Sequence, residues 1–378
     1  MYDPLYEAIP DFMRQTGVAV DVVVRLPHPA LNAWVAANFA AGNPGIDLLS
    51  THTKYAPSQA HWLSPLDDVL RPEHEADLLP SAATLSLVGG RLLQVPRNVD
   101  VRLLHYRRSV VGGRAPDTWA ELADVAQAIT TSNRAGFLFP GRDSGLFGSF
   151  YELLVGAGGR LFDDDLSPAF DSDAGRWALG YLTDLHHVRR VTSPHLPNWH
   201  YDEISVEFRQ GRAAMVCDWP GSYHLYRDPG SCAEADDVSL ARLPAGPSGA
   251  RSAYAGCHSF AIPIGAGDRS AAAELLRHLT SAAAQLGEAR RGAIPCRASA
   301  LASVRAESAG NPVESTRWEL LAESQETMIM PPRFAAYPSC EDVIWHAVQR
   351  AMVGSISAAD ALSAAAARVR HIVAARHT

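Results

Sequence analysis

The order of helical and extended segments in the first fifty residues constrains the fold more than any other feature. Apolar residues at helical spacing and β-branched runs predict the order helix, strand, helix, strand over residues 5–16, 18–24, 28–42 and 46–49. Strands joined through a helix by short connections are typical of a parallel sheet whose strand ends open into a crevice. We therefore expect an α/β lobe with the residues just after Leu49 at its crevice.

A later stretch of the chain repeats this alternation. Thr118 and Glu121 form a T-x-x-E capping box, which predicts the start of a helix that runs to about Thr130. Because 378 residues are enough for about two domains, we expect two α/β lobes. The further elements expected in this second lobe are a strand at 136–139, helices at 147–155 and 171–188, and a strand at 213–217.

The charge balance and the cysteines exclude several classes of protein. The chain has 32 Arg and one Lys, Lys54, against 41 acidic residues, and its net charge of -8 is unfavourable for binding nucleic acid. It has no run of eighteen apolar residues and no secretory signal pattern at its start, which leaves the compartment open. Five cysteines without a C-x-x-C pair argue against zinc ribbons and thioredoxin-like chemistry, while one disulfide remains allowed in an exported protein.

Common catalytic and cofactor motifs do not occur in the sequence. The single lysine has no neighbouring glycine, so there is no P-loop, and the glycine-rich runs at 156–159 and 265–268 do not complete a dinucleotide-binding loop. There is no G-x-S-x-G and no H-E-x-x-H. We therefore expect no cofactor, no metal site and no catalytic residue of these classes. A carboxylate pair for glycoside hydrolysis stays open, because its separation is a three-dimensional quantity.

Polar and aromatic residues cluster where strands are expected to end. Aromatic faces stack on the C–H surface of a sugar, while polar side chains form hydrogen bonds with its hydroxyl groups. These clusters indicate a polyhydroxylated ligand. They lie at 51–55, 96–100, 141–144 and 218–223.

Short segments distributed along nearly the whole chain form a series with characteristic order and spacing. They include PDTWAEL at 116–122, FRQGRAAM at 208–215 and DWPG at 218–221. The others lie at 12–20, 46–49, 63–68, 95–96, 104–106, 260–263 and 330–332. This series resembles that of the extracellular solute-binding proteins of family 1, the substrate-capturing components of carbohydrate ABC importers.

The resemblance implies a fold, a ligand class and a set of partners. The implied fold is the two-lobed α/β fold of periplasmic binding proteins, type II-like, with ligand in a cleft between lobes joined by hinge segments. The lobes would comprise 1–108 with 257–312, and 109–256 with 313–378. The implied function is to capture a sugar or polyol and deliver it to the membrane permease subunits of an ABC importer, without catalysis. We expect a monomer in the periplasm or another extracytoplasmic space, either free or lipid-anchored. A carbohydrate-active enzyme such as a glycoside hydrolase is the alternative.

Lys54 and Trp219 are the first residues expected in a ligand site. Lys54 places a compact ammonium group in a loop of His, Thr and Tyr at the expected crevice, and Trp219 follows an expected strand beside Asp218. Arg97 and Arg102 leave an acidic ligand open, such as a uronate or a sugar phosphate, although a neutral sugar or polyol is favoured. The complete set of expected ligand-binding residues is His52, Thr53, Lys54, Tyr55, Arg97, Asn98, Asp100, Asp143, Ser144, Asp218, Trp219, Gly256, His258 and Arg333.

Overall fold

The computed structural model describes residues 3–26, 28–42 and 45–375. The α-helices are α1 Asp3–Thr16, α2 His28–Ala40, α3 Ala56–Gln59, α4 Pro72–Ala76, α5 Pro80–Ser86, α6 Arg108–Val111, α7 Trp119–Ile129, α8 Asp143–Gly156, α9 Asp173–Thr183, α10 Tyr201–Arg209, α11 Ser222–Tyr226, α12 Arg269–Leu279, α13 Ala282–Ala289, α14 Ala298–Ser308, α15 Pro312–Gln325, α16 Tyr337–Met352 and α17 Ala358–Ala374. Short 3-10 helices lie at Ala60–Trp62, Leu196–Asn198 and Ala235–Asp237, and a π-helical turn lies at Asp184–Val188. The strands are β1 Leu49–His52, β2 Leu87–Val88, β3 Arg91–Leu92, β4 Val95–Val101, β5 Leu103–Arg107, β6 Ala135–Leu138, β7 Ala213–Asp218, β8 Val238–Ala241, β9 Ala253–Ala261 and β10 Met328–Ile329.

The chain divides into two compact units, each built from separate stretches of sequence. Unit 1 comprises Met1–Asp100, Gly256–Thr316 and Pro331–Tyr337, and unit 2 comprises Val101–Ala255, Arg317–Met330 and Pro338–Thr378. Residues 101–108, expected in the first lobe, therefore lie in unit 2, because β5 pairs there with β7 and β8. The chain passes between the units within β4 and again within β9.

The sheet of unit 1 is organised around β9. The residues of β9 in unit 1 pair with β1 in antiparallel register, which sets His52 opposite His258, and β4 also pairs with β9. The expectation of a parallel sheet is therefore wrong for β1. The pairing partner of β1 is β9, about 200 residues further along the chain. The expectation rested on pairing with a strand connected to β1 through the neighbouring helix.

The expected strand at 18–24 is also wrong. The segment has no strand pairing, although Val18 and Val20 pack against the core of unit 1. Val22 and Val23 are exposed. Their β-branched side chains favour extended backbone, but a strand also requires a neighbouring strand with which to form hydrogen bonds.

The apolar spacing expected in the first helix is confirmed by the core of unit 1. Helix α1 buries Phe12, and Leu5 and Ile9 pack against the same cluster. Leu66 and Leu276 are fully buried members of that cluster. The amphipathic face of α1 therefore joins sequence-distant parts of unit 1 in one core.

The sheet of unit 2 has the strand order β6-β7-β5-β8. Strand β7 runs parallel to β6 and antiparallel to β5, and all its residues are buried. The predicted start of α7 is confirmed, because the Thr118 hydroxyl oxygen accepts a hydrogen bond from the amide of Glu121 at 3.1 Å. This sheet delivers Asp218 and then Trp219 to the carboxyl end of β7.

Candidate functional site

The end of β1 and the turn that follows it hold four of the expected ligand-binding residues in unit 1. His52 ends β1, and Thr53, Lys54 and Tyr55 form the turn that leads into α3. The Thr53 amide donates a hydrogen bond to the carbonyl oxygen of Cys257 at 3.0 Å, which ties the turn to β9. All four side chains are at most 8% exposed, so the turn is part of the packed unit and not a free loop.

Polar and aromatic groups meet in this turn. The Lys54 ammonium nitrogen lies 5.0 Å from the centre of the Tyr55 ring, and His52 makes an edge-on contact with His258, with 5.3 Å between ring centres. The Thr53 hydroxyl oxygen is buried with no hydrogen-bond partner among the described residues. Gly256 precedes Cys257 on β9, so it lies beside the same turn. The structure therefore brings together six of the fourteen expected residues.

Strand β4 holds three more expected residues, beginning with Arg97. Its guanidinium Nε donates to both carboxylate oxygens of Glu288, at 2.8 and 2.7 Å. Both side chains are buried in unit 1. A charge-assisted contact of this kind satisfies the positive charge of Arg97 within the unit.

Asn98 and Asp100 form a second buried contact on β4. The Asn98 side-chain amide donates to one carboxylate oxygen of Asp100, and the amide of Ile294 donates to the other at 3.2 Å. Burial raises the pKa of Asp100 to about 6, although these donors and the nearby Arg97 favour the ionised form. The carbonyl oxygen of the Asn98 side chain is buried without a partner in the described chain. Asn98 therefore retains one unused acceptor.

Arg333 is engaged with the end of a helix in unit 1. Its terminal nitrogens donate to the carbonyl oxygens of Thr84, Leu85 and Leu87, the first two at 3.2 Å. These carbonyls belong to the end of α5 and the residue that follows it. The contacts give Arg333 a capping role in the structure.

In unit 2, the end of β7 places Asp218 and Trp219 next to each other. One carboxylate oxygen of Asp218 accepts from the Tyr226 hydroxyl, and the other accepts from the amide of Trp219 at 2.8 Å. Burial raises the pKa of Asp218 to about 6. Asp218 is thus held inside the unit, whereas the Trp219 side chain is half-buried.

Two tyrosines that the sequence did not single out lie against Trp219. The ring centre of Trp219 is 5.5 Å from that of Tyr201 and 6.2 Å from that of Tyr254. We call these three residues the aromatic surface of unit 2. Tyr254 also contacts Phe147 and Tyr151, with centres 6.2 and 6.4 Å apart. Tyr201 begins α10 after a proline-containing loop, and that position is the signal that could have identified it.

The remaining expected residues of unit 2 begin α8. Asp143 has a left-handed backbone, with φ of 54°, and its carboxylate lies 3.8 Å from the guanidinium of Arg142. Ser144 follows it, and both side chains are half-buried. A non-glycine residue rarely adopts this conformation, so the start of α8 is a strained position.

Arg102 is the second arginine that the sequence left open as a partner of an acidic ligand. It is fully buried in unit 2 and forms an ion pair with Glu152, 2.7 Å between Nη2 and Oε2. Both arginines that favoured an acidic ligand, Arg97 and Arg102, are therefore paired with buried carboxylates of their own unit. The described surfaces offer aromatic area with hydroxyl, amide, imidazole and ammonium groups, which suits a polyhydroxylated ligand.

Other kinds of site have less support from the structure. All five cysteines are buried, and Cys217, Cys232, Cys257 and Cys296 are free thiols. Within residues 3–26, 28–42 and 45–375, no three His, Cys, Asp or Glu side chains come together in a way that could hold a metal ion. None of the helices in the described ranges combines the length and apolar character needed to cross a bilayer.

The chain is similar to known proteins in sequence and in structure. The chain is 28% identical over 218 residues to a probable ABC transporter-binding protein of Deinococcus radiodurans, covering 54% of this chain and 51% of that protein. It is 24% identical over 237 residues to a mannitol-binding protein of Pseudomonas aeruginosa, covering 59% and 52% of the two chains. The chain thus spans about half the length of the relatives it matches.

A solved structure is similar over nearly the whole chain. Maltose-bound MalE3 of T. maritima superposes with a TM-score of 0.90 at 26% sequence identity, covering 98% of this chain and 96% of that one. This similarity confirms the expected two-lobed α/β fold of periplasmic sugar-binding proteins.

The family profile described as bacterial extracellular solute-binding protein matches residues 7–312. The match covers residues 7–100 and 256–312 of unit 1 and residues 101–255 of unit 2. It confirms the resemblance seen in the sequence. The chain therefore belongs to the family of bacterial extracellular solute-binding proteins.

Proposed function

We propose that this chain captures a neutral sugar or polyol outside the cytoplasm and delivers it to an ABC importer. Its family membership supports a binding role. The similarity to a maltose-bound protein and to a mannitol-binding protein supports a carbohydrate or polyol ligand. The permease subunits of the importer would be its partners, and the protein would act as a monomer, either free or lipid-anchored.

One observation carries the choice of a neutral ligand. Arg97 and Arg102 each form a buried ion pair with a carboxylate, Glu288 and Glu152, at distances of 2.5 and 2.7 Å. Using either arginine to bind an anionic ligand would leave its partner carboxylate buried and unpaired, which is costly. Hydroxyl groups make no such demand, because they accept and donate hydrogen bonds without carrying charge.

We propose two ligand-contacting surfaces, one on each unit. On unit 1 it is the turn after β1 with the adjacent part of β9: His52, Thr53, Lys54, Tyr55, Gly256 and His258. On unit 2 it is the aromatic surface, with Asp143 and Ser144 at the start of α8 as further candidates. Asn98 contributes through its unused acceptor, whereas Arg97, Asp100, Asp218 and Arg333 would support these surfaces from within the fold.

We also infer that the two compact units are the two lobes of the fold and that the protein is not an enzyme. The expected boundaries of the lobes were 108, 256 and 312. With the units as lobes, the first lobe comprises 1–100, 256–316 and 331–337, and the second comprises 101–255, 317–330 and 338–378. The buried carboxylates Asp100 and Asp218 accept hydrogen bonds from their own units, an arrangement that suits structural acceptors better than a general acid and base. A glycoside hydrolase would need two carboxylates with access to the scissile bond.

Thermal shift with product analysis tests this function. The protein is heated with individual mono- and disaccharides, polyols, uronates and sugar phosphates, and each sample is then analysed for products. We expect at least one neutral sugar or polyol to raise the melting temperature and to be recovered unchanged, because a ligand bound only by the native state stabilises it. Conversion of the ligand would establish an enzyme, and stabilisation by acidic sugars alone would refute the neutral-ligand assignment.

A further inference from the structure

We propose that the buried ion pair of Arg102 and Glu152 positions the aromatic surface of unit 2, and so sets ligand affinity without contacting the ligand. The effect on affinity rests on the function proposed above, whereas the effect on the aromatic rings does not. The ion pair forms hydrogen bonds with the hydroxyl of Tyr201 and with the backbone amide of Tyr254, the two residues whose rings contact Trp219.

Every nitrogen of the Arg102 guanidinium is engaged inside unit 2. The side chain is fully buried. Its partners are the Gly145 carbonyl oxygen at 3.0 Å, the Tyr201 hydroxyl at 3.0 Å, the Ser149 hydroxyl at 2.9 Å, the Glu152 carboxylate at 2.7 Å and the Cys217 sulfur at 3.2 Å. These partners belong to α8, α10 and β7, so one planar group fixes three elements relative to each other.

Tyr201 contacts this ion pair through its ring hydroxyl, and Tyr254 contacts it through its backbone. Nη1 of Arg102 donates to the hydroxyl of Tyr201. The carboxylate of Glu152 accepts from the backbone amide of Tyr254 at 2.8 Å, and the carbonyl oxygen of Tyr254 accepts from the amide of Arg102 at 3.0 Å. Movement of the ion pair would therefore change the positions of both rings.

Gly148 shows how closely α8 approaches these groups. A Cβ at this position would lie 2.8 Å from the Tyr254 ring and 3.0 Å from Nη1 of Arg102. Real Cβ atoms do not come so close to a neighbour, so α8 reaches this position only with a glycine. The ring of Tyr254 has no room to move towards the helix, and its orientation is restricted on that side.

Stability alone gives a weak reason for this arrangement. Replacing a buried ion pair with apolar residues of similar volume often leaves stability unchanged or raises it, because removing two charges from water is costly. A planar guanidinium with fixed donor directions does, however, define the positions of its partners. The positions of Tyr201 and Tyr254 are therefore what this ion pair provides.

The first test measures the environment of Trp219 in the ligand-free protein. The near-UV circular dichroism of Trp219 is obtained as the difference between each protein and its Trp219→Phe counterpart. We expect a clear Trp219 signal in the wild-type protein and its loss in Arg102→Lys, because an ammonium group cannot replace the planar contacts. If the Trp219 signal of Arg102→Lys equals that of the wild type, the proposal is wrong.

Arg107 provides the matched control. It is also a fully buried arginine of unit 2, at the end of β5, and it donates to the carbonyl oxygens of Phe208 and Ala233 at 2.6 and 2.8 Å. Within the described ranges, none of its hydrogen bonds or ion pairs reaches the aromatic surface. Arg107→Lys is expected to lower the melting temperature but to retain the Trp219 signal. Loss of that signal in both variants would mean that any buried arginine has the same effect, which would contradict a positioning role.

Tyr201→Phe keeps the test decisive if Arg102→Lys does not fold. This variant removes only the hydroxyl that Arg102 holds, and the ring remains. We expect the Trp219 signal to fall and the far-ultraviolet spectrum to stay unchanged. An unchanged Trp219 signal in Tyr201→Phe would then overturn the proposal.

Titration with maltose and with mannitol provides the second readout. We expect Arg102→Lys to lose about tenfold or more in affinity for whichever of the two binds, and Arg107→Lys to bind as the wild type does. A wild-type protein that binds neither would count against the proposed ligand class, while the Trp219 signal would still decide the positioning role. Wild-type affinity in Arg102→Lys would contradict the proposal.

Discussion

Arg97 and Glu288 form a buried ion pair in unit 1, in which Nε of the arginine lies 2.8 and 2.7 Å from the two carboxylate oxygens. Arg97 is on β4 and Glu288 is on α13, so the contact joins residues 191 positions apart. The positive charge of Arg97, which could have bound an acidic ligand, is therefore paired within the fold. Its removal should therefore affect stability more than ligand choice.

Breaking this ion pair is expected to destabilise the protein strongly. Glu288→Ala would leave the Arg97 guanidinium buried without its carboxylate, which should lower the free energy of unfolding by about 3–5 kcal/mol. Chemical denaturation measures this change. The control is Glu7→Gln, which removes an ion pair with Arg291 whose side chains are 61% and 51% exposed, and should change stability by less than about 1 kcal/mol. Equal effects in the two variants would contradict the structural role of Arg97.

Trp219 is expected to contribute directly to ligand affinity. Trp219→Ala should weaken binding by about 1–3 kcal/mol, because it removes a half-buried ring from the aromatic surface. Trp177→Ala is the control, since Trp177 is also half-buried in unit 2 but stacks on Tyr181, 5.5 Å between ring centres. Calorimetric titration with a stabilising sugar compares the two variants. If they bind equally well, Trp219 is not an anchor for the ligand.

Lys54 is expected to donate hydrogen bonds to ligand hydroxyl groups. Lys54→Met keeps a flexible side chain of similar length but removes the ammonium group, and with it the contact of that group with the Tyr55 ring. Loss of a charged hydrogen bond should cost about 1.5–3 kcal/mol of binding free energy. Titration of the variant with the same sugar measures this loss. Wild-type affinity in Lys54→Met would remove Lys54 from the ligand site.

The contribution of Asp100 to the stability of the protein is expected to fall as the pH rises through about 6. Burial raises the pKa of Asp100 to about 6, above its ordinary value of 3.8, so the folded state holds a proton over this range that the unfolded state has lost. The associated stabilisation is complete below about pH 4 and is lost as the pH rises through 6, on the order of 2–3 kcal/mol in total. Asp218 behaves in the same way, since burial also raises its pKa to about 6.

Asp100→Asn tests this pH dependence. The free energy of unfolding is measured between about pH 4 and pH 8 in both proteins. Its slope against pH should be more positive in the variant than in the wild type, because the folded variant no longer holds the Asp100 proton. Asp21→Asn removes an exposed carboxylate of unit 1 and controls for the change in net charge. A slope as steep in Asp100→Asn as in the wild type would show that Asp100 does not hold the proton.

Features set by local chemistry could be predicted from the sequence. The start of α7 at Thr118 and the buried face of α1 around Phe12 depend on residues three or four positions apart, and both are confirmed. The strand expected at 18–24 does not form in the structure. A strand depends on a pairing partner, and local composition does not show whether one is present. The two-lobed fold was recognised from the order of short segments along the chain and not from any one of them.

The candidate site could be predicted only in part. The turn at Lys54 and the position of Trp219 follow from strand ends, which the sequence marks. The contact of Tyr254 with Trp219 depends on the first residues of β9, which lie in unit 2 about 35 residues after Trp219 along the chain. The partners of Arg97 and Arg102 are similarly distant, so no sequence pattern could show that their charges are already paired.

The most direct test of the central claim is a calorimetric titration of the purified protein with a neutral sugar or polyol that raises its melting temperature, alongside the corresponding uronate or sugar phosphate. The account predicts saturable binding of the neutral compound with one ligand per chain, much weaker binding of the acidic one, and recovery of the ligand unchanged. Tighter binding of the acidic compound, or conversion of either compound during the titration, would contradict it.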